Sequence, residues 1–178
     1  NDDGGEVAKK RLRAIALAKQ MDSVRQIIRD HYAGSVDKFI ADSGRLQQIV
    51  DSVLECLQKD SKSKVLITLT SIPFLAIIKV VLQEKLAQLN LQETPEVVQY
   101  YGGMTPGERS VTSRRFNAED SLQRVCCVSA RAGGVGVDLF ADHVIIADSD
   151  WSPAVSEQAA ARAIRCNTRF KEIALITL

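Results

Sequence analysis

No G-x-x-x-x-G-K-[ST] run occurs anywhere in the 178 residues. The chain therefore lacks the glycine-rich loop and lysine that cradle the phosphates of a nucleotide in many motor proteins. Aromatic residues make up only 5% of the chain while apolar residues make up 46%. The core must be built from Leu, Ile, Val and Ala, a composition that suits a parallel α/β sheet covered on both faces. The four cysteines, Cys56, Cys126, Cys127 and Cys166, form no C-x-x-C pair and no metal-ligand spacing. This excludes a zinc module and points to reduced thiols in an intracellular protein. No apolar stretch approaches the roughly 18 residues of a membrane span, and no secretory leader pattern is present. The net charge of +1 excludes a global basic field but leaves room for a local one. The opening Asn1-Asp-Asp-Gly-Gly5 has no Met and reads as an internal starting point.

The pattern of apolar residues orders the chain. Residues 6–31 read as one amphipathic helix, with or without a break, whose stripe is Val7, Leu12, Ile15, Ala18, Met21, Val24, Ile27 and Ile28. Lysines and arginines fill the gaps, so a basic nucleic-acid arm is the second reading of this segment. Tyr32–Ala41 reads as a connector. From Asp42-Ser43-Gly44 a second helix follows, with Leu46, Ile49, Val50, Val53, Leu54 and Leu57 on one face. Strands are expected at 65–70, 96–101, 124–129, 143–147 and 173–178, the last cut short by the end of the chain. Pro73 falls in the first turn of a helix running to about Asn90, where proline is tolerated. Thr105 and Glu108 have capping-box spacing at the start of a helix ending near Phe116. Strands that alternate with helices predict a mainly parallel sheet.

Three segments that follow strands carry chemistry-bearing residues. Ser129-Ala-Arg131-Ala-Gly133-Gly134-Val-Gly136 leaves the third strand; its glycines let backbone N–H groups approach an anion. Asp148-Ser-Asp-Trp151-Ser-Pro153 leaves the fourth strand and holds the chain's one tryptophan, placed to touch a base or sugar, or to pack. Gln158-Ala-Ala-Ala-Arg162-Ala-Ile-Arg165 then puts an amide and two guanidinium forks at i, i+4 and i+7 of a helix, hence on one face. Such forks suit phosphate oxygens. Each segment alone has a bland reading as turn, packing or solvated surface. Together they place glycine-rich, polar and cationic groups on the carboxyl edge of one sheet, where open α/β sheets bind ligands.

These residues resemble, in order and spacing, the second RecA-like lobe of superfamily-two helicase-like ATPases, and within them the Swi/Snf-type DNA translocases. Lys64–Leu178 carries the resemblance. Lys64-Val-Leu-Ile67 resembles the motif IV strand, and Tyr101-Gly102-Gly103-Met-Thr-Pro-Gly-Glu-Arg109 with Arg115-Phe-Asn117 resembles the "DGS…eR…Fn" block. Ser129–Gly136 resembles motif V, Asp148–Pro153 its "D-x-W-N-P" continuation, and Gln158–Arg165 motif VI. The resemblance implies an α/β fold: a RecA-like three-layer sandwich over residues 42–178, with residues 1–41 as an N-terminal helical extension or linker.

It also implies a mechanism. A first RecA-like lobe, elsewhere in the protein, would hold ATP and magnesium, and this lobe would close over them. Arg165 would be the arginine finger, supported by Arg162, with Gln158 orienting the pair or bridging the cleft. Gly134, Gly136 and Asp138 would lie on the nucleotide side. Ser129, Arg131, Gly133 and Trp151 would face the backbone of double-stranded DNA, and Arg109 with Gly102-Gly103 would lie near the tracked strand or stabilise that loop, on nucleosomes or at repair sites in the nucleus. Departures from the family pattern are Ile164 for His, Asn167 for Gly, Thr168 for Gln, Ala130 for a hydroxyl residue and Thr68 for an aromatic. Two alternatives stay open: a degenerate, non-hydrolysing lobe kept as a binding module, and an RNA helicase lobe, against which Trp151-Ser-Pro153 argues.

Overall fold

The computed structural model describes residues 3–129, 139–147 and 174–177. Ten elements follow in chain order: α1 (Asp3–His31), α2 (Val36–Ala41), α3 (Gly44–Lys59), β1 (Val65–Leu69), α4 (Ile72–Gln88), β2 (Glu96–Tyr100), α5 (Pro106–Asn117), β3 (Gln123–Ser129), β4 (His143–Ile146) and β5 (Ala174–Thr177). The strands form one sheet in the order β2-β3-β1-β4-β5, and every pairing is parallel. The expected α/β architecture is present, with helices on both faces.

β1 is the centre of the sheet, and all five of its residues are buried. Because strand side chains alternate, it feeds two cores. Val65, Ile67 and Leu69 join Val125, Cys127 and Ile145 under α1, α2, α3 and α4. Leu66 joins Tyr100, Cys126, Val128 and Val144 on the opposite face, against Phe116 of α5. An unbroken apolar run is what a strand covered on both sides requires. Thr68 is the one polar residue of β1, and its hydroxyl donates to the Ile145 carbonyl of β4 at 3.5 Å.

Local signals explain the helix starts. Ser43 Oγ accepts from Leu46 N–H to open α3, and Ser71 Oγ accepts from Phe74 N–H to open α4, each at 3.3 Å. At α5 the capping box is complete: Glu108 N–H donates to Thr105 Oγ1 and Thr105 N–H donates to Glu108 Oε2. Thr105 N–H and the Thr105 hydroxyl both donate to Glu108 Oε2 and hold that carboxyl below its ordinary value. A depressed folded-state value means that this contribution to stability is present above the unfolded carboxylate range and is lost as pH falls through the folded value.

Two expectations for the first forty residues are corrected. α1 is continuous, and its buried face is Leu17, Val24 and Ile28 with Met21 partly buried, a 4-3-4 recurrence that packs on α4. Val7, Leu12, Ile15 and Ile27, counted in the expected stripe, are exposed. The expected connector Tyr32–Ala41 contains a helix, α2. Ser35 caps it by accepting from Lys38 N–H, and Val36 and Ile40 anchor it in the core. Ala33 and Gly34 take left-handed φ values of 52° and 74°, and Gly34 N–H returns to Ile28 O to end α1. Two residues of special φ and one short apolar pair left little periodicity to read.

The amino edge of the sheet is tied by one carboxylate. Asp142, just before β4, accepts from Lys64 N–H at 2.5 Å and from Ser63 Oγ at 2.9 Å, and lies 3.3 Å from His143 Nδ1. Lys64 is fully buried; its Nζ donates to Gln123 O at 2.8 Å and lies 5.3 Å from the centre of the Phe116 ring. Asp142→Ala is expected to lower stability by about 2–4 kcal/mol, because two donors lose a charged acceptor. Asp142→Asn should lose less, and both appear as shifts of the urea midpoint; a change below about 0.5 kcal/mol for the alanine would contradict this assignment.

Candidate functional site

Parallel pairing brings every described strand end to one rim. Leu69 of β1 pairs with Ser129 of β3, Thr68 with Ile146 of β4, and Ile146 with Thr177 of β5. Tyr100 of β2 stands opposite Val128. The described ends of these strands are therefore neighbours on the carboxyl edge, the ligand edge of an open α/β sheet.

Three of the residues singled out above are among those described. Ser129 closes β3 and is only 3% exposed, so its hydroxyl lies beneath the rim. Gly102 is half-buried in the turn after β2. Arg109, in the second turn of α5, reaches back to this turn: its Nη2 donates to the Tyr101 carbonyl at 3.5 Å, and its guanidinium lies 5.7 Å from the centre of the Tyr100 ring. Its Nε is buried with no hydrogen-bond partner. Arg109 thus bonds the backbone of this turn. Arg131, Gly133, Gly134, Gly136, Asp138, Trp151, Gln158, Arg162 and Arg165 lie outside the described residues, as do Ala130, Ile164, Cys166, Asn167 and Thr168.

One rim contact has no counterpart in the sequence reading. The side chain of Arg13, from α1, lies against Gly102-Gly103. A Cβ on Gly103 would stand 3.0 Å from Arg13 Cβ and 2.5 Å from Tyr101 Cε2; one on Gly102 would be 4.0 Å from Arg13 Nη1. The paired glycines make room for the Tyr101 ring and for a helix about ninety residues earlier. The visible signals were the 17, 21, 24, 28 spacing, which sets the face of α1, and the bare glycine pair, which lacks the bulk to fill its own turn.

A groove of about 900 Å³ lies away from this rim. It lies at the amino edge, between Leu57 of α3, Leu86 of α4 and Leu122 and Arg124 at the start of β3. The described cysteines offer no nucleophile. Burial raises the Cys126 thiol well above its ordinary value and pushes Cys127 up to about 12 and Cys56 to about 11, so all three stay protonated at neutral pH. Burial likewise lowers the half-buried Lys79 of α4, which lies near Cys127. Among the described residues no cluster of three His, Cys, Asp or Glu could hold a metal ion, and no helix is long and apolar enough to cross a membrane.

Comparison with known proteins locates this frame. Residues 45–167 match the family described as Helicase conserved C-terminal domain. An uncharacterized ATP-dependent helicase of Schizosaccharomyces pombe is 32% identical over 124 residues, covering 69% of this chain and 11% of that protein. The CHD3-type chromatin-remodeling factor PICKLE of Arabidopsis thaliana is 48% identical over 65 residues, 36% of this chain and 5% of that protein. The SWI/SNF-related matrix-associated actin-dependent regulator of chromatin subfamily A member 1 of Homo sapiens is 48% identical over 65 residues, 35% of this chain and 6% of that protein. The chain thus spans about a tenth or less of these relatives. Among solved structures, the C-terminal part of the Fun30 ATPase domain superposes with a TM-score of 0.61 at 24% identity, over 76% of this chain and 41% of that one, a likeness of fold.

Gly103→Ala should destabilise the protein by about 1–3 kcal/mol, because the Tyr101 ring and Arg13 must both shift. Gly107→Ala, in α5 and facing open space, should be neutral or stabilising. Equal thermal midpoints for the two variants would contradict the close packing of the Tyr101 ring and Arg13 on Gly103.

Proposed function

Because the chain belongs to the helicase conserved C-terminal domain family, we propose that it is the second motor lobe of a Swi/Snf-type, DNA-dependent ATPase that translocates on duplex DNA in the nucleus, in chromatin remodelling or repair. The observation that carries this reading is the family match over residues 45–167, laid on a parallel sheet whose strand ends share one rim. ATP and magnesium are bound mainly by a first RecA-like lobe. The donor chemistry on this chain fits the nucleotide: guanidinium forks pair with phosphate oxygens, and glycine N–H groups can approach them closely. Arg165 acts as the finger, Arg162 supports it, Gln158 orients the pair, and Gly134, Gly136 and Asp138 line the nucleotide side. When bound, the nucleotide supplies the phosphoryl group whose charge these residues stabilise.

On the DNA side, Arg131, Gly133 and Trp151 meet the phosphate backbone, with Ser129 supporting motif V from below. Gly102 and Arg109 shape the neighbouring loop. Backbone contacts suit a translocase because they carry no base sequence. Opening and closing of the two lobes would convert hydrolysis into steps along the duplex, on nucleosomal or damaged DNA.

A second reading is favoured by the residues around the arginines. Ile164, Asn167 and Thr168 replace the polar and small residues that the family carries there. A lobe with that thinned network can keep its fold and partner surfaces without hydrolysis.

The isolated chain should show no ATP turnover, since half of the site is missing; turnover by the pure chain would overturn the half-site assignment. In the full protein, Arg165→Ala should reduce DNA-stimulated hydrolysis by about three to five orders of magnitude with unchanged folding. Hydrolysis that persists would place the finger elsewhere, and a full protein with no hydrolysis before mutation would favour the scaffold reading. Trp151→Ala should weaken stimulation by DNA more than basal turnover; equal loss would mean the indole only packs.

A further inference from the structure

α1 lies outside the 45–167 region that the family match covers. Its lower half is anchored: Leu17, Val24 and Ile28 are buried against α4. Near its start it crosses the carboxyl rim, where Arg13 lies on Gly102-Gly103. Residues 5–9 and 11–13 are all exposed. The ten residues from Asp3 to Leu12 therefore extend about 15 Å beyond the rim contact, at 1.5 Å per helical residue. Among residues 5–13 only Lys10 is partly buried, its side chain 21% exposed. Its composition is also unlike the rest. Between Glu6 and Asp22 the helix carries Lys9, Lys10, Arg11, Arg13 and Lys19 and no carboxylate, although the whole chain is only +1. Lys10 pairs with Glu6 at 2.8 Å.

We propose that the amino-terminal turns of α1 form a rigid phosphate-contacting arm that grips the backbone of duplex DNA beside the carboxyl rim, through Lys9, Lys10 and Arg11. The proposal rests on the motor-lobe reading, which puts duplex at that rim, and extends the DNA track onto a helix outside the family region. Charge favours a polyanion: five cations uninterrupted by acid repel one another unless counter-charge is brought close. A protein partner fits less well. Lys19 falls four residues after Ile15 and seven after Leu12, on their face of the helix, so the exposed apolar side chains form no continuous seat. Cations pointing in several directions suit a duplex lying across the arm, where contact is with phosphates and independent of sequence. Arg13 differs from the other three, because its side chain lies against the Gly102-Gly103 turn.

The test is binding of the full protein to two fluorescent duplexes of unrelated sequence, measured by anisotropy from about 50 to 200 mM salt. The comparison variant is K9Q/K10Q/R11Q, which keeps good helix formers, gives up the Lys10–Glu6 pair and leaves Arg13 in place. Unchanged helical circular dichroism and an unchanged thermal midpoint establish that it is folded. Expected is a loss of affinity of about tenfold or more at 100 mM salt, equal for both duplexes. The slope of log K against log salt should become shallower by about 3, roughly one for each phosphate contact removed. A wild-type protein that binds duplex with a slope the variant shares overturns the arm while leaving the motor-lobe reading intact. A wild-type protein that binds no duplex overturns both. A loss confined to one duplex overturns phosphate contact as the mode.

Discussion

The sheet depends on β1 being buried on both faces while its first residues stay bonded to polar partners. An apolar central strand has no preferred register of its own, because every one-residue slip still buries aliphatic side chains. Asp142 supplies the missing specificity. Its carboxylate takes the Lys64 N–H and the Ser63 hydroxyl, and so sets the start of β1 against the start of β4. Lys64, wholly buried, ties the same point to β3 through the Gln123 carbonyl. Three strands are aligned at the amino edge by polar atoms, and their carboxyl ends then arrive together at the rim. The buried lysine and the carboxylate are thus a positional device for the opposite end of the sheet.

That arrangement divides the molecule. The amino edge is where polar atoms hold three strands together; the carboxyl edge is where the described strands end side by side. The large groove at the amino edge lies on the holding side, among Leu57, Leu86, Leu122 and Arg124. The rim side has a braced turn instead. Arg109 supports the Tyr101 carbonyl from α5, and Arg13 covers the glycine pair from α1. The segment before the family region thereby touches the same rim as the strand loops, and it shares the first core with α3 and α4.

Much of this frame was legible in the residues, and the reasons differ by element. α3 shows a clean helical face, β1 and β3 show aliphatic runs too short for helices, and α5 announces itself by Thr105 and Glu108. α2 was missed because six residues hold less than two turns and only Val36 and Ile40 point inward. The face of α1 was misjudged because apolar residues occur all round its first half; only packing on α4 selects Leu17, Val24 and Ile28. At the site, the order of motifs along the chain is a local signal and could be read directly. The contact of Arg13 with Gly103 is made across about ninety residues, so the spacing of α1 and the glycine pair each show one side of it and neither names the other.

The central claim is that the carboxyl rim, and not the amino edge, closes on nucleotide and duplex. Amide hydrogen exchange on the full protein tests it most directly, with and without a non-hydrolysable ATP analogue and duplex DNA. Protection is expected in residues 100–104, 129–138 and 148–165, with residues 62–64, 122–124 and 142–143 unchanged. Protection confined to the amino edge, or none at the rim when both ligands are bound, would contradict the account.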